Sequence, residues 1–226
     1  TVFDVLQTLE VGRILCTGDI VGYGAAPKEC IEFMRERKVQ CVKGNHDYYV
    51  TEDDKNFKIR KEAKIAIDWT RDQLDDSEIQ WLRDLDMVAE INDDVTLVHS
   101  SLAEPEDWVY VLNPAAAEDH FRCQKKPICF NGHVHVPILA KNDPPEPPQL
   151  VFLTSTELEV KYKYLVNVGS VGQPRDSDPR ACGVIYDTET RKVRLFRIPY
   201  NVDKARDRII DAGLPKKLGD RLLSGY

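Results

Sequence analysis

The stretch Pro127-Ile-Cys-Phe-Asn-Gly-His-Val-His135 runs a short apolar segment into Asn131, Gly132, His133 and His135. Three further stretches share this build. Residues 13–19 (RILCTGD) end on Gly18-Asp19, and residues 39–47 (VQCVKGNHD) end on Gly44-Asn45-His46-Asp47. Residues 95–100 (VTLVHS) end on His99-Ser100. Each puts a carboxylate, carboxamide or imidazole just after a β-prone run. An open α/β sheet gathers the carboxyl ends of its strands at one crevice. Oxygen and nitrogen donors gathered there suit hard or borderline divalent ions rather than soft thiolate-bound ones. Because His133 and His135 are two apart, an extended chain would send both side chains to one face. His120, the one histidine outside these clusters, falls in a helical stretch and reads as an ordinary hydrogen-bonded group.

Outward from these clusters, the first half alternates strand and helix. Helices are predicted over residues 1–10, with Val2, Val5, Leu6 and Leu9 on one face, and over 27–37, 58–70, 76–82 and 114–122. Pro27 suits a first helical turn, and Asp76 or Ser77 is the expected cap of the fourth. This alternation predicts a mainly parallel sheet. The second half reads as shorter strands over 150–154, 164–168, 181–186 and 193–198, expected to form an antiparallel second sheet. Residues 142–149 (NDPPEPPQ) read as a stiff surface loop of polyproline character. The tail, 202–226, reads as two short helices split at Gly213-Leu214-Pro215.

In order and wording, the four clusters resemble the motifs of the calcineurin-like metallophosphoesterases. Stretches 18–24 (GDIVGYG) and 169–176 (GSVGQPRD) resemble the small, bacterial-type branch, and the likeness runs from about 13 to 198. It implies an α/β fold built as a two-sheet β-sandwich flanked by helices, in α-β-β-α layers. Residues 1–200 would form the metallophosphoesterase domain, and 201–226 a helical tail packed on it. The implied activity is hydrolysis of a phosphomonoester or phosphodiester by a metal-bridging hydroxide. The implied cofactors are two divalent ions, drawn from manganese, iron, zinc or nickel. One ion would take Asp19, Asn45, His99 and His133. Asp19 would bridge to a second ion, which also takes His135. By the same resemblance His46 binds a phosphate oxygen or protonates the leaving group. Asp47 would either orient His46 or serve as a helix cap or ion-pair partner. Tyr23 and the loop arginines Arg175 and Arg180 are candidate substrate contacts. The family's first motif, Asp-x-His, does not occur before Asp19. It is expected just upstream of Thr1 in the native coding sequence. A catalytically impaired scaffold that binds a protein partner is the alternative; the absent motif favours it and the intact histidines oppose it.

Composition bounds the partners. The 226 residues suit one α/β domain, and a net charge of −7 disfavours stable complexes with nucleic acid or an anionic membrane. Attraction for a small phosphate ester or nucleotide must then be local, and metal ions would supply it. No apolar run reaches the roughly 18 residues of a membrane span. Six cysteines without a C-x-x-C pair suit buried packing in a reducing, cytoplasmic setting rather than a disulfide framework. A homo-oligomer stays open.

Overall fold

A computed structural model describes residues 2–52 and 59–226. The chain begins with α1 (Val2–Thr8), β1 (Leu15–Cys16), α2 (Pro27–Glu36), β2 (Gln40–Cys41) and α3 (Asn45–Thr51). It continues through α4 (Lys61–Gln73), α5 (Asp76–Arg83), β3 (Val88–Glu90), β4 (Val95–Val98), α6 (Pro114–Cys123) and β5 (Ile128–Asn131). The hairpin β6 (Pro137–Asp143) and β7 (Glu146–Phe152) follows, then β8 (Ser155–Glu157), β9 (Lys163–Val168), β10 (Ala181–Asp187) and β11 (Lys192–Ile198). Helices α7 (Val202–Asp211) and α8 (Lys216–Ser224) close the chain.

The architecture is mixed α/β, with the sandwich and flanking helices expected. The larger sheet has six strands in the order β3-β4-β5-β9-β6-β7, and β10-β11-β8 form a second, antiparallel sheet. Strands β1 and β2 pair in parallel beside them. Alternation along each strand explains the layers. Val95, Leu97, Ile128, Phe130, Tyr164 and Val166 point to one face, where they meet Leu158 and Val193 of the smaller sheet's region. Val98, Cys129, Ala140 and Leu165 point to the other and meet Ala117 and Phe121 of α6. Helices α2 to α5 bury Ile31, Val50, Ile67 and Leu82 around Ile20 and Cys41. The tail packs Ile209, Leu214, Leu218 and Leu222 on Ala66 of α4 and on Tyr23.

Several expectations are corrected. The strands predicted at 150–154 and 164–168 lie in the larger sheet, because β9 pairs with β5 in parallel and with β6 antiparallel. The proline-rich stretch is no loop of polyproline character. It forms the tip and start of the β6–β7 hairpin, with Pro147 and Pro148 inside β7. That strand is the sheet's edge and carries a register shift opposite Lys141–Asp143, where missing N–H groups cost no ladder bonds. Leu9 is 52% exposed because α1 ends at Thr8. The helix expected from residue 58 is seen from Lys61, and residue 58, like Thr1, lies outside the described residues. The cap of α5 is Asp75, which accepts from the Ser77 and Glu78 amides while Glu78 returns the bond to its backbone. All six cysteines are free thiols, and Cys30 and Cys123 are exposed rather than buried.

Candidate metal centre

Asp19, Asn45, His99, His133 and His135 converge at the carboxyl ends of β1, β4 and β5 and the start of α3. Asp19 follows β1 in a left-handed conformation (φ 55°), and Gly18 before it has φ 93°. A Cβ on Gly18 would lie 2.6 Å from the Gly44 amide nitrogen and 2.8 Å from His99 Nδ1. Only glycine lets the β1 and β2 loops approach this closely. Asn45 and His46 open α3 as its first two residues, turned toward Asp19. The His46 backbone N–H donates to Asp19 Oδ1 at 3.0 Å. His133 and His135 do not lie on an extended strand, as their spacing had suggested. Both are left-handed, with φ of 67° and 60°, in the turn between β5 and β6. Backbone strain of this kind is held in place by surrounding structure and concentrates at functional sites.

The imidazoles share one device. His99 Nδ1 faces the Thr17 carbonyl at 2.7 Å, and His135 Nδ1 faces that of Gln173 at 2.7 Å. His133 Nε2 faces the Trp108 carbonyl at 2.8 Å. A carbonyl can only accept, so each of these nitrogens carries the proton. In the neutral ring, the other nitrogen is then a lone pair, and all three lone pairs look at acceptors. His99 Nε2 lies 3.4 Å and His135 Nε2 3.9 Å from Asp19 Oδ2. His99 Nε2 and His133 Nδ1 lie 3.1 and 2.9 Å from Asn45 Oδ1. Acceptors facing acceptors want a cation between them. Ligand bonds of about 2.1 Å give neighbouring donors about 3.0 Å apart in an octahedron and about 3.4 Å in a tetrahedron. The spacings around Asn45 and His99 fall near those edges, and His135 stands farther out at 3.9 Å. Asp19, His99 and His133 each bring one ligand atom within 4.8 Å of the others. The donor set therefore fits a divalent ion.

Electrostatics follow burial. Desolvation pushes His133 down to about 3 and His46 down to about 4, and lowers His135 as well. Burial also opposes a charge on His99, yet the Asp19 charge and hydrogen bond hold its pKa above the ordinary value. Burial works against ionised Asp19 too, but the His99 and His46 charges keep it well below the usual carboxylate range.

His46 Nδ1 is buried without a partner among the described residues, and its ring stands 4.2 Å from that of Tyr23. Arg175 lies beside them, its guanidinium 5.9 Å from the Tyr23 ring and hydrogen-bonded to Gln173 Oε1. Asp47 does not orient His46. Its Oδ1 accepts from the Ile20 and Val21 amides at 2.9 and 3.1 Å, and its Oδ2 from the Gly44 amide at 2.9 Å. It thus caps α3 and clamps the Asp19 loop to it. Burial, then the Asp19 charge, push it up to about 7 against the pull of these donors. Arg180 is held by Asp178 through Nε and Nη2, away from a substrate role. His120 is a core group that accepts from the Leu102 amide and pairs with Gln124.

Sequence reasoning missed the wall made by the loop before α6. Trp108, left-handed at φ 53°, supplies the carbonyl to His133, and Tyr110 stacks on that ring at 4.2 Å. No motif marks a backbone carbonyl; the aromatic pair so close before a predicted helix was the available signal.

With this geometry in hand, comparison with known proteins is informative. A family model described as a calcineurin-like phosphoesterase superfamily domain matches residues 1–191. The chain is 34% identical over 227 residues to the uncharacterized protein MJ0912 of Methanocaldococcus jannaschii, covering 99% of this chain and 91% of that one. It resembles the crystal structure of a metallophosphoesterase from Sphaerobacter thermophilus, with a TM-score of 0.86 and 34% identity over 100% of this chain and 94% of that one. The hypothetical protein PH1004 of Pyrococcus horikoshii OT3 shares the fold, with a TM-score of 0.81 at 20% identity over 100% and 92%.

Proposed function

Since this chain belongs to the calcineurin-like phosphoesterase superfamily, we propose that it hydrolyses a phosphomonoester or phosphodiester with the help of divalent metal ions. The observation that carries the reading is the set of three buried imidazoles, each proton-locked by a backbone carbonyl and each aiming a lone pair at Asp19 or Asn45. Such outer partners fix ring orientation and raise ligand basicity in metal sites. Asp19, Asn45, His99 and His133 would hold one ion, and Asp19 with His135 would contribute to a second. Bound ions would lower the pKa of the attacking water and offset charge developing on the phosphoryl oxygens.

The chain's own groups do the rest. Asp47 keeps Asp19 and Asn45 in register. His46, with Nδ1 otherwise unsatisfied, binds a phosphoryl oxygen or passes a proton to the leaving oxygen. Arg175 lacks a carboxylate partner among the described residues and is suited to a phosphate. Tyr23 backs His46, and Tyr110 shields His133 from solvent on one face.

Metal analysis joined to turnover of bis(p-nitrophenyl) phosphate with added manganese tests this. His133→Ala should lose both metal and turnover. His46→Ala should keep its metal and lose turnover by about 10²–10⁴-fold. Protein that holds no divalent ion when purified without chelator, and that manganese does not activate, would overturn the proposal.

A further inference from the structure

Tyr23, whose ring neighbours His46, also lines a groove whose other residues have no part in the phosphoryl chemistry above. It lies between the start of α4 and α8, and its walls are Tyr23, Arg60, Ala63, Lys217, Leu218 and Arg221, with Glu62 at its rim. Its charge is lopsided. Arg60, the exposed N-cap residue of α4, makes no hydrogen bond or ion pair to a described residue. Arg221 donates Nε to a main-chain oxygen of Tyr226 at 2.7 Å and meets no side-chain carboxylate among the described residues. Lys217 has one distant partner, Glu62 at 3.8 Å, on two solvated side chains. Three cationic side chains thus face one acidic side chain, in a chain whose net charge is −7.

The groove also joins the centre physically. Tyr23 lines it and holds its ring 4.2 Å from that of His46, tilted by 54°. The end of α8 is tied to the loop bearing Arg175, because the Ser177 amide donates to the Gly225 carbonyl at 2.9 Å. A Cβ on Gly225 would lie 2.5 Å from the Asp178 backbone, so the two segments are in close contact. Burial, and then the neighbouring Arg175 and Arg60 charges, lower the pKa of Arg221 below its usual value. Cations crowded without counter-charge lose stability unless an anion joins them. Arginine forks suit phosphate in particular.

We propose that Arg221 and Arg60, assisted by Lys217, form a second anion subsite beside the metal-ligand cluster, and that the substrate is a polyphosphate ester. One phosphoryl group would lie at the cluster, and a further phosphate would reach past Tyr23 into the groove. This substrate class rests on the phosphoesterase reading; the subsite itself does not.

The test titrates the full chain with inorganic tripolyphosphate and, separately, with orthophosphate by calorimetry. Chelator-treated protein is used, since tripolyphosphate would strip bound metal. Wild type should bind tripolyphosphate at least about tenfold more tightly than orthophosphate. Arg221→Gln and Arg60→Gln should each weaken tripolyphosphate about ten- to hundredfold, the range for a lost hydrogen bond to a charged group. Orthophosphate affinity and thermal midpoint should stay put. Should Arg221→Gln unfold the tail, Arg60→Gln, which removes no internal bond, decides. Equal affinity for the two anions, or unchanged tripolyphosphate binding in Arg60→Gln, overturns the proposal. Turnover of p-nitrophenyl phosphate with manganese is measured alongside. Tripolyphosphate discrimination without turnover leaves the subsite standing and sinks the phosphoesterase reading. Turnover without discrimination does the reverse.

Discussion

Asp47→Ala separates architecture from chemistry in this site. The wild-type carboxylate is fully buried and accepts three backbone N–H groups, from Gly44, Ile20 and Val21. Truncation leaves three buried donors without partners, at about 1–3 kcal/mol each. Release of a buried carboxyl whose pKa is pushed up to about 7 returns part of that cost. The three donors share one acceptor group, so their losses do not add fully. A net loss of about 3–5 kcal/mol is expected, which in a chain of this size lowers Tm by roughly 6–20 °C. Urea unfolding followed by fluorescence of Trp69, Trp81 and Trp108 measures it, with metal content assayed in parallel. Metal should fall along with stability, because Asp19 and Asn45 lose their common clamp. A variant within about 0.5 kcal/mol of wild type that keeps its metal but loses turnover would refute this account. Asp47 would then act on His46 or the substrate.

Other outcomes follow from particular contacts. Gly22→Ala places a Cβ 2.5 Å from His46 Nδ1 at a φ of 98°, so turnover should fall while metal content holds; equal loss of both would mean that Gly22 shapes the ligand cluster instead. Asp178, held to about 2 chiefly by its hydrogen bonds to Arg180, has a folded pKa below its ordinary value of 3.8. Its contribution is therefore present above pH 4 and is lost as pH falls toward 2. Since the pair is partly solvated, Asp178→Asn should cost only about 0.5–1 kcal/mol at pH 7 and nothing at pH 2. A penalty that persists at pH 2, read from denaturant midpoints, would contradict the assignment.

The strands of the fold were legible wherever burial wrote a short, mostly apolar run into them. Residues 95–98 and 128–130 are buried on both faces because each face meets a separate core. The helix of 27–36 announced itself through Pro27 and Ile31. The candidate metal-ligand residues were legible because they are side chains in short motifs. Their conformations were not: the left-handed turns at Asp19, His133 and His135 depend on tertiary packing that no local pattern encodes. The proton-locking carbonyls of Thr17, Trp108 and Gln173 were invisible for the same reason, since every residue has one. The first half of β7 was hidden because proline counts against a strand, and only its place at the sheet's edge makes it tolerable. Short β3 carried too few residues to show a period.

That edge also bears on how copies of the chain can meet in solution. An open sheet invites another molecule to add a strand, the first step of aggregation. Here one border is β7, where Pro147 and Pro148 offer no N–H and a register shift bends the ladder. The opposite border is β3, only three residues long, ending in Glu90. Neither is a good template, although Val151 and Phe152 are more than half exposed beside the prolines. Assembly across the larger sheet would therefore have to join through side-chain surfaces, because the backbone at both of its borders resists being extended.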